Sequence, residues 1–502
     1  MNAPLRRVGV VLLVMFGLLF ANLNWVVAYK GEEYRTSPYN GRVQIEEYQR
    51  ERGLVLVGRD AQAVTGNLET EGQLRYLRTY PLEERYAHVV GYKPVTGEAT
   101  GIEQFEDKFL AGTADTLFVD RLWDLFTEEK RPGGNVLTTL SAPAQQAAYE
   151  ELRDNQVGAA KGAVVALDPR TGAIQAMVSM PSFDPNPLVA HDTKAAREAY
   201  QELEQHPDRP LRNRALAERY PPGSVFKVID AAAALERGYT PTTLIPAGPT
   251  YQHPETTHVI RNAAPSICPE AQVSLIDALT ESCNTGFARL AVELGADVIA
   301  ETARAFGFDD PELTVGRLDG DGMPVAESRT GALKRDDGID DGPVVALTGI
   351  GQANVEITPL QGAMIAAAVA NRGVQMRPYV VQELQHGPDL SRLYVASPQQ
   401  LRRATSPDVA DALRDMMVSV VQHGTGRNAA IAGYVVGGKT GTAQTGAGQA
   451  NHGWFVGFVL SDGVPISAVA VFLENAGDGG SAEAARIAGQ VMRAVIADRG
   501  EG

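Results

Sequence analysis

The hydrophobic positions of the chain form runs of different lengths that predict its helices and strands. Residues 8–28 are almost continuously apolar, which is long enough for a helix to cross a hydrocarbon core of roughly 30 Å. Short apolar runs at residues 53–57, 163–167 and 173–177 predict strands. A turn sequence at residues 168–172 separates the last two runs, so we expect them to form a hairpin.

Longer runs with helical periodicity occupy the middle of the chain and its end. The run at residues 225–237 is rich in Ala and Leu and stops at Gly238, a typical C-cap. Other predicted helices are residues 143–153, 274–281, 286–294, 359–371, 407–422 and 481–497. Late strand-like runs are residues 434–437, 454–460 and 466–474. This order predicts an α+β fold that consists of an antiparallel sheet covered by helices. In that sheet, the late strands return to the first hairpin.

The pattern also suggests a division into three parts. We expect a cytoplasmic tip and transmembrane anchor at residues 1–28, a smaller mixed non-catalytic module at 29–154, and a catalytic domain at 155–502. Within the module, residues 115–129 form a candidate helix, and the spacing of Glu103, Glu106 and Asp107 predicts a solvated face. Residues 192–213 are a polar connection between the hairpin and the next helix.

Composition excludes several classes of function. A net charge of −16 argues against nucleic-acid binding, because phosphate contacts need clustered Lys and Arg. The only two cysteines are too few for a disulfide-dense scaffold or a cysteine-cluster zinc site. The eight histidines show no metal-binding spacing, so neither a metal nor another cofactor is expected.

Charges beside the apolar segment indicate its orientation. Arg6 and Arg7 precede the segment and Glu32 and Glu33 follow it, which places the N-terminus in the cytoplasm and the remainder outside the plasma membrane. The alternative is a cleaved signal peptide, since residues 26–28 loosely resemble a small-residue cleavage site. Under both interpretations, most of the chain is exported.

Ser224 and Lys227 are candidates for nucleophilic catalysis. They follow Pro221-Pro222-Gly223 and open a predicted helix, where residues three apart lie on one face. A serine hydroxyl is a poor nucleophile at neutral pH, and a lysine kept neutral by burial or by a second cation can take its proton. A solvated N-cap serine beside a surface lysine remains an alternative for this pair alone.

Two further motifs follow in order. Ser282-Cys283-Asn284 lies between two predicted helices, and Lys439-Thr440-Gly441-Thr442 lies at the end of a predicted strand. Taken singly, they could be an interhelical turn and a polar strand end. Together with Ser224 and Lys227, they resemble the signature of penicillin-binding proteins and serine β-lactamases.

The resemblance implies a role for each residue. Ser224 would be the nucleophile and Lys227 its base, with Ser282 relaying a proton and Lys439 adding positive potential. Asn284 would hold a substrate carbonyl, and the hydroxyls of Thr440 and Thr442 would bind the substrate carboxylate. Gly441 would let the substrate strand approach, while the backbone N–H groups of Ser224 and Thr442 would form the oxyanion hole.

The arrangement of the whole chain is similar to class B penicillin-binding proteins, which are monofunctional D,D-transpeptidases, and in particular to the actinobacterial penicillin-binding protein A group. That resemblance implies peptidoglycan stem peptides as substrates, β-lactams as inhibitors, and partners in the division or cell-wall machinery. A D,D-carboxypeptidase and a catalytically silent scaffold remain alternatives. A β-lactamase is disfavoured, because no convincing deacylating glutamate lies between Asn284 and Lys439.

Cys268 and Cys283 are candidates for a disulfide. They are 15 residues apart, and an exported protein can oxidise them. The alternative is two separate thiols, since a disulfide requires Cα atoms within about 7 Å.

Overall fold

The computed structural model describes residues 2–31, 34, 41–117, 131–446 and 448–500. Its α-helices within those ranges are α1 Asn2–Trp25, α2 Gly41–Tyr48, α3 Ala87–Val90, α4 Gly101–Phe105, α5 Asp107–Leu110, α6 Ala142–Arg153, α7 Thr193–Gln205, α8 Arg214–Ala217, α9 Lys227–Glu236, α10 Leu275–Thr280, α11 Asn284–Leu294, α12 Ala296–Ala305, α13 Gly342–Thr348, α14 Pro359–Ala370, α15 Pro407–Gln422 and α16 Gly480–Asp498. A π-helical segment, Val26–Lys30, continues α1.

The strands in the same ranges are β1 Val55–Val57, β2 Gln62–Ala63, β3 Gly66–Glu69, β4 Tyr76–Thr79, β5 Asn135–Thr138, β6 Gly162–Leu167, β7 Ile174–Met180, β8 Leu244–Pro246, β9 Thr250–Tyr251, β10 Ile260–Arg261, β11 Gln272–Ser274, β12 Thr314–Gly316, β13 Gly322–Pro324, β14 Val374–Met376, β15 Val381–Gln385, β16 Arg392–Val395, β17 Gln400–Arg403, β18 Val435–Ala443, β19 His452–Ser461 and β20 Val464–Leu473.

The central sheet brings both ends of the catalytic domain together. Its strand order is β18-β19-β20-β6-β7, and every neighbouring pair is antiparallel. The late strands therefore return to the first hairpin, as the sequence predicts. Strand β18 extends beyond the predicted run at residues 434–437, because the polar residues that follow this run also pair with β19.

Helices cover both faces of this sheet. Alternate residues of β6 face opposite sides, so Val164 and Ala166 pack with α6 and α16 while Val165 packs with α14. Every residue of α14 is buried. A Cβ at Gly362 would lie 3.1 Å from a Val456 methyl group, so this glycine allows α14 to approach the sheet closely. The predicted α+β class is confirmed.

A second sheet joins the N-terminal module to a distant part of the chain. Its order is β16-β15-β5-β1-β2, so β15 and β16 complete a sheet that begins with residues of the module. Strands β1 and β5 are parallel, and β15 pairs antiparallel with β5. Helix α6 lies before the expected boundary near residue 154 yet packs against α16 and β7 of the catalytic domain.

The prediction of a solvated acidic face in the module is wrong. Glu103 is fully buried, and its carboxylate forms ion pairs of 2.6 Å with both Arg52 and Arg78. Glu106 is also buried and faces Arg317 of the catalytic domain at 3.5 Å. Asp107 is half-buried and pairs with Arg52 at 2.8 Å. Helical spacing alone does not reveal these partners, because they come from other elements.

Other local expectations have mixed outcomes. The polar connection at 192–213 contains α7, which Asp192 caps by accepting hydrogen bonds from the backbone N–H groups of Lys194 and Ala195. The candidate helix at 115–129 lies mostly outside the described residues. Its described part, Asp115–Leu117, forms one 3₁₀ turn.

Near the N-terminus, Arg6–Lys30 is long and apolar enough to span a membrane, and its most apolar part is not buried against the rest of the protein.

Candidate active site

A 3₁₀ turn, Gly223–Phe226, carries Ser224 and leads directly into α9. Pro221 and Pro222 precede the turn and cannot continue a helix. The indole Nε1 of Trp454 donates a hydrogen bond of 3.0 Å to the carbonyl oxygen of Pro221, which ties the turn to strand β19. Ser224 is only partly buried.

Glycines allow three segments to meet beside Ser224. Gly223 has a φ of 53°, and a Cβ there would lie 2.5 Å from the carbonyl oxygen of Thr442. A Cβ at Gly351 would lie 1.8 Å from the carbonyl oxygen of Gly223. A Cβ at Gly441 would lie 2.6 Å from that of Pro222. Gly441 therefore lets strand β18 approach the serine turn, a role that sequence analysis did not assign to it.

The second motif meets the first at the amine of Lys227. Its Nζ donates hydrogen bonds of 2.8 Å to the carbonyl oxygen of Ser282 and to Oδ1 of Asn284, and it lies 3.2 Å from Oγ of Ser282. Lys227 is fully buried, and burial lowers its pKa to about 7. A neutral amine has two hydrogens and one lone pair. The two 2.8 Å bonds use both hydrogens, so the lone pair remains available to accept a proton.

Lys439 reaches the same hydroxyl from strand β18. Its Nζ donates hydrogen bonds of 2.9 Å to Oγ of Ser282 and 3.1 Å to the carbonyl oxygen of Thr440. Lys439 is also fully buried, and burial together with the nearby charge of Lys227 lowers its pKa well below the usual value. Ser282 therefore lies between two lysine amines, as a proton relay requires.

The segment between α10 and α11 presents Ser282 and Asn284, as the helical pattern predicts. Ser282 has a φ of 63°, an uncommon left-handed conformation for a residue with a side chain. Asn284 begins α11, and its Nδ2 donates a hydrogen bond of 2.9 Å to the carbonyl oxygen of Arg261. These contacts fix the side chain that accepts from Lys227.

Thr440 and Thr442 differ in their exposure. Thr442 is exposed at the end of β18, whereas only 5% of Thr440 is exposed. The hydroxyl oxygen of Thr440 lies 2.5 Å from that of Thr425, a residue that sequence analysis did not single out. No hydrogen bond joins Ser224 to Lys227 within the described ranges, so a direct proton transfer between them would require the two side chains to approach one another.

The two cysteines are free thiols and both are buried. They nevertheless lie close enough to shift each other's pKa. The neighbouring thiol lowers the pKa of Cys283 to about 7 and raises that of Cys268. The disulfide remains a prediction, since the thiols are adjacent without being bonded.

Sequence reasoning missed a buried acid in α9. Asp230 is fully buried one turn after Lys227, and neither of its carboxylate oxygens has a hydrogen-bond partner within the described residues. Burial raises its pKa well above the usual value, although the charge of Lys227 opposes that shift. The i to i+3 spacing from Lys227 was visible in the sequence, but the missing partners were not.

Comparison with known families identifies two matching regions. Residues 162–493 match the penicillin binding protein transpeptidase domain, and residues 52–136 match the penicillin binding protein A dimerisation domain. In the described residues, the first region contains the central sheet and all three motifs.

Relatives match over nearly the full length. The peptidoglycan D,D-transpeptidase PbpA of Mycolicibacterium smegmatis is 42% identical over 501 residues, which covers 99% of both chains. That of Mycobacterium tuberculosis is 40% identical over 99% of this chain and 98% of its own.

Solved structures agree with the sequence relatives. The ceftriaxone acyl-enzyme complex of penicillin-binding protein A from M. tuberculosis is 40% identical and superposes with a TM-score of 0.83, covering 90% of this chain and all of that one. The imipenem acyl-enzyme complex of that protein is 41% identical with the same TM-score and coverage. The resemblance that the three motifs indicated is thus confirmed, and the chain belongs to the penicillin-binding protein transpeptidase family.

Proposed function

We propose that this chain is a peptidoglycan D,D-transpeptidase that cross-links stem peptides through an acyl-enzyme on Ser224, which β-lactams also acylate. The principal support is the buried amine of Lys227, whose two short hydrogen bonds leave a lone pair for a proton. The relatives support the same reaction, since they are peptidoglycan D,D-transpeptidases and β-lactam acyl-enzymes.

Acylation begins when Oγ of Ser224 attacks the carbonyl carbon of the penultimate D-Ala. The serine proton passes to Nζ of Lys227 as the new C–O bond forms. Backbone N–H groups of Ser224 and Thr442 stabilise the oxyanion. When the intermediate collapses, the C–N bond to the terminal D-Ala breaks, and its nitrogen receives a proton from Lys227 through the hydroxyl of Ser282.

The second half-reaction transfers the acyl group. The amine of a second stem peptide attacks the ester carbonyl and gives its proton to Lys227. The ester C–O bond then breaks, and Ser224 recovers a proton from the same lysine. In a β-lactam the broken C–N bond belongs to the ring, so the amine remains tethered and can block the acceptor.

Substrate recognition would use the two elements that flank the serine. Asn284 retains one amide hydrogen beyond its bond to Arg261 and can donate it to a peptide carbonyl. Thr440 and Thr442 offer hydroxyls to the terminal carboxylate, and Lys439 would add positive potential beside them when Lys227 is neutral and its charge no longer opposes that of Lys439. The tight contact of Gly441 with Pro222 keeps these groups close to Ser224.

The N-terminal helix and module would place the catalytic domain at the cell surface. The Arg6–Lys30 helix would anchor the chain in the plasma membrane with its N-terminus in the cytoplasm and residues 155–502 outside. Residues 29–154 would serve as a pedestal that contacts division or cell-wall synthesis proteins. The proposed steps use neither a metal nor a cofactor, because Ser224, Lys227 and Ser282 carry the proton transfers.

One experiment separates this function from its alternatives. The exported part of the protein would be mixed with a D-Ala-D-Ala pentapeptide, with and without a D-amino-acid acceptor, and the products analysed by mass spectrometry. A transpeptidase forms the exchanged peptide in proportion to acceptor, whereas a carboxypeptidase releases D-Ala and shorter peptide regardless. A silent scaffold gives neither product. Only the first outcome supports the proposal.

A further inference from the structure

An asparagine outside the three motifs caps the helix that begins with Asn284. Asn262 directly follows β10, and its Oδ1 accepts hydrogen bonds of 2.9 Å and 3.1 Å from the backbone N–H groups of Asn284 and Thr285. These are the first two residues of α11, whose leading N–H groups have no partner within the helix. The residue at the N-cap position, Cys283, makes no capping bond with its side chain. Asn262 therefore supplies the cap from another segment of the chain.

The nitrogen of the same amide holds two further segments. Nδ2 of Asn262 donates hydrogen bonds of 2.8 Å to the carbonyl oxygen of Ile267 and 3.2 Å to that of Gly248. The carbonyl oxygen of Gly248 also accepts a hydrogen bond of 2.7 Å from the hydroxyl of Thr285, which is fully buried. Asn262 and Thr285 thus fix the start of α11 against the segment between β8 and β9.

The cap acts on the amine of Lys227 through Asn284. Oδ1 of Asn284 accepts a hydrogen bond of 2.8 Å from Nζ of Lys227. Nδ2 of Asn284 donates one of 2.9 Å to the carbonyl oxygen of Arg261, the residue before Asn262. Two consecutive residues therefore hold both the backbone and the side chain of Asn284. If Asn284 moved, one amine hydrogen of Lys227 would lose its acceptor, and the lone pair would no longer be held in one direction.

We propose that Asn262 is a positioning residue for acylation, which acts through Asn284 to hold the amine of Lys227 in the orientation that accepts the serine proton. This inference rests on the proposed function, because it concerns the base of the same reaction. It gives a role to the segment after β10, which belongs to none of the three motifs.

The first test compares Asn262→Ala with Asn155→Ala in the full-length protein. Asn155 is also partly buried, and it accepts one backbone hydrogen bond and donates two, all to Leu152 and Ala159 at the end of α6. Both variants should lower the Tm. Only Asn262→Ala should lower the acylation rate constant at a saturating concentration of a chromogenic cephalosporin, by about 10- to 100-fold, because small misplacements of a catalytic group can cost about 10²-fold.

The pH profile of acylation separates orientation from folding. The hydrogen bond to Asn284 favours the protonated amine, so its loss should move the midpoint of the Asn262→Ala profile to lower pH than that of the wild type. The titratable groups that face Lys227 are Asp230 on α9, the thiols of Cys268 and Cys283, and Lys439 on β18, and the substitution replaces none of them. An unchanged midpoint would show that Lys227 keeps its hydrogen bonds without Asn262, and it would overturn the inference.

A double mutant tests whether Asn262 acts through Asn284. If it does, Asn262→Ala combined with Asn284→Ala should be little slower than Asn284→Ala alone. Asn262→Asp keeps an oxygen acceptor for the same N–H groups and should restore most of the acylation rate. If Asn262→Ala does not fold, Asn262→Ser replaces it in each measurement, since its shorter side chain reaches fewer of these partners.

Two results would overturn the inference while wild-type acylation still supported the proposed function. One is a destabilised Asn262→Ala that acylates at the wild-type rate, and the other is full additivity of Asn262→Ala and Asn284→Ala. Absence of a Ser224 acyl-enzyme in the wild type would instead overturn both the inference and the proposed function.

Discussion

Lys439 donates a hydrogen bond of 2.9 Å to the hydroxyl oxygen of Ser282, although the two residues are 157 positions apart in the sequence. The bond connects strand β18 to the segment between α10 and α11. Because Lys227 contacts the same hydroxyl, a change at either lysine alters the environment of the other.

Ser224→Ala should abolish the β-lactam adduct without unfolding the protein, because the half-exposed hydroxyl makes no hydrogen bond to Lys227 within the described ranges. Lys227→Ala should lower the acylation rate by about 10²–10⁴-fold, the usual loss for a general base. Intact-mass and peptide mass spectrometry after penicillin treatment would measure both effects. An adduct on another residue, or wild-type acylation by Lys227→Ala, would contradict the assignment.

Acylation should rise with pH around neutrality. Only the neutral amine of Lys227 can take the serine proton, and burial lowers its pKa to about 7. The acylation rate constant should therefore fall about tenfold per unit well below pH 7 and level off above it. Stopped-flow acylation with a chromogenic cephalosporin would give the profile, with circular dichroism at each pH as a control for folding. An acylation rate constant that did not change from pH 5.5 to 8 would show that Lys227 does not act as a base with a pKa near 7.

Glu103→Gln should destabilise the pedestal strongly. The substitution leaves Arg78 without the carboxylate that it pairs with and leaves Arg52 with Glu47 and Asp107, and breaking a buried pair typically costs about 3–5 kcal/mol. Chemical denaturation would measure the change in the free energy of unfolding. Glu71→Gln is the matched control, because Glu71 is exposed. If the two variants unfolded alike, the buried network would contribute nothing measurable to stability.

Asp230→Asn should stabilise the protein increasingly as pH rises. Burial raises the folded-state pKa of Asp230, whereas in the unfolded chain the carboxyl ionises near pH 4. Folding therefore takes up a proton above that pH, and this contribution to stability is lost as pH rises toward the folded-state pKa. Asparagine has the same shape and does not ionise.

The gain of Asp230→Asn in Tm over wild type should grow by about 2 °C or more between pH 5 and pH 8. Asp462→Asn makes the same change of charge at an exposed position and should give a constant difference. A Tm difference for Asp230→Asn that did not vary with pH would show that its carboxyl has similar pKa values in the folded and unfolded states.

The sequence predicted the catalytic elements well because their signals are local. Pro221, Pro222 and Gly238 mark the limits of the serine helix, and two short apolar runs with a turn sequence between them mark the hairpin. It failed for Glu103, whose burial depends on arginines 51 and 25 positions away in the chain. It also missed Thr425, since a polar loop residue carries no sign of the strand that it will contact. Long-range pairing of polar groups is decided by the fold, so helical periodicity does not reveal it.

The last prediction concerns Cys268 and Cys283, which we expect to form a disulfide in the exported protein. Their thiols already lie close enough to shift each other's pKa, so the two segments that the bond would join are neighbours in the fold. The lowered pKa of Cys283, about 7, makes a thiolate available for exchange near neutral pH. A closed loop of this length would stabilise the protein by about 3 kcal/mol in the entropic model.

Cys283 lies between Ser282 and Asn284, so the bond would also hold both side chains against Lys227. Reduction should therefore lower the Tm and slow acylation together. Thiol counting under denaturing, non-reducing conditions decides the matter, because the disulfide predicts no reactive thiol in protein purified from the cell surface. Cys268→Ser provides the control, since it should reproduce the effects of reduction and respond no further to a reducing agent. Two free thiols in the exported native protein would show that the cysteines remain separate thiols.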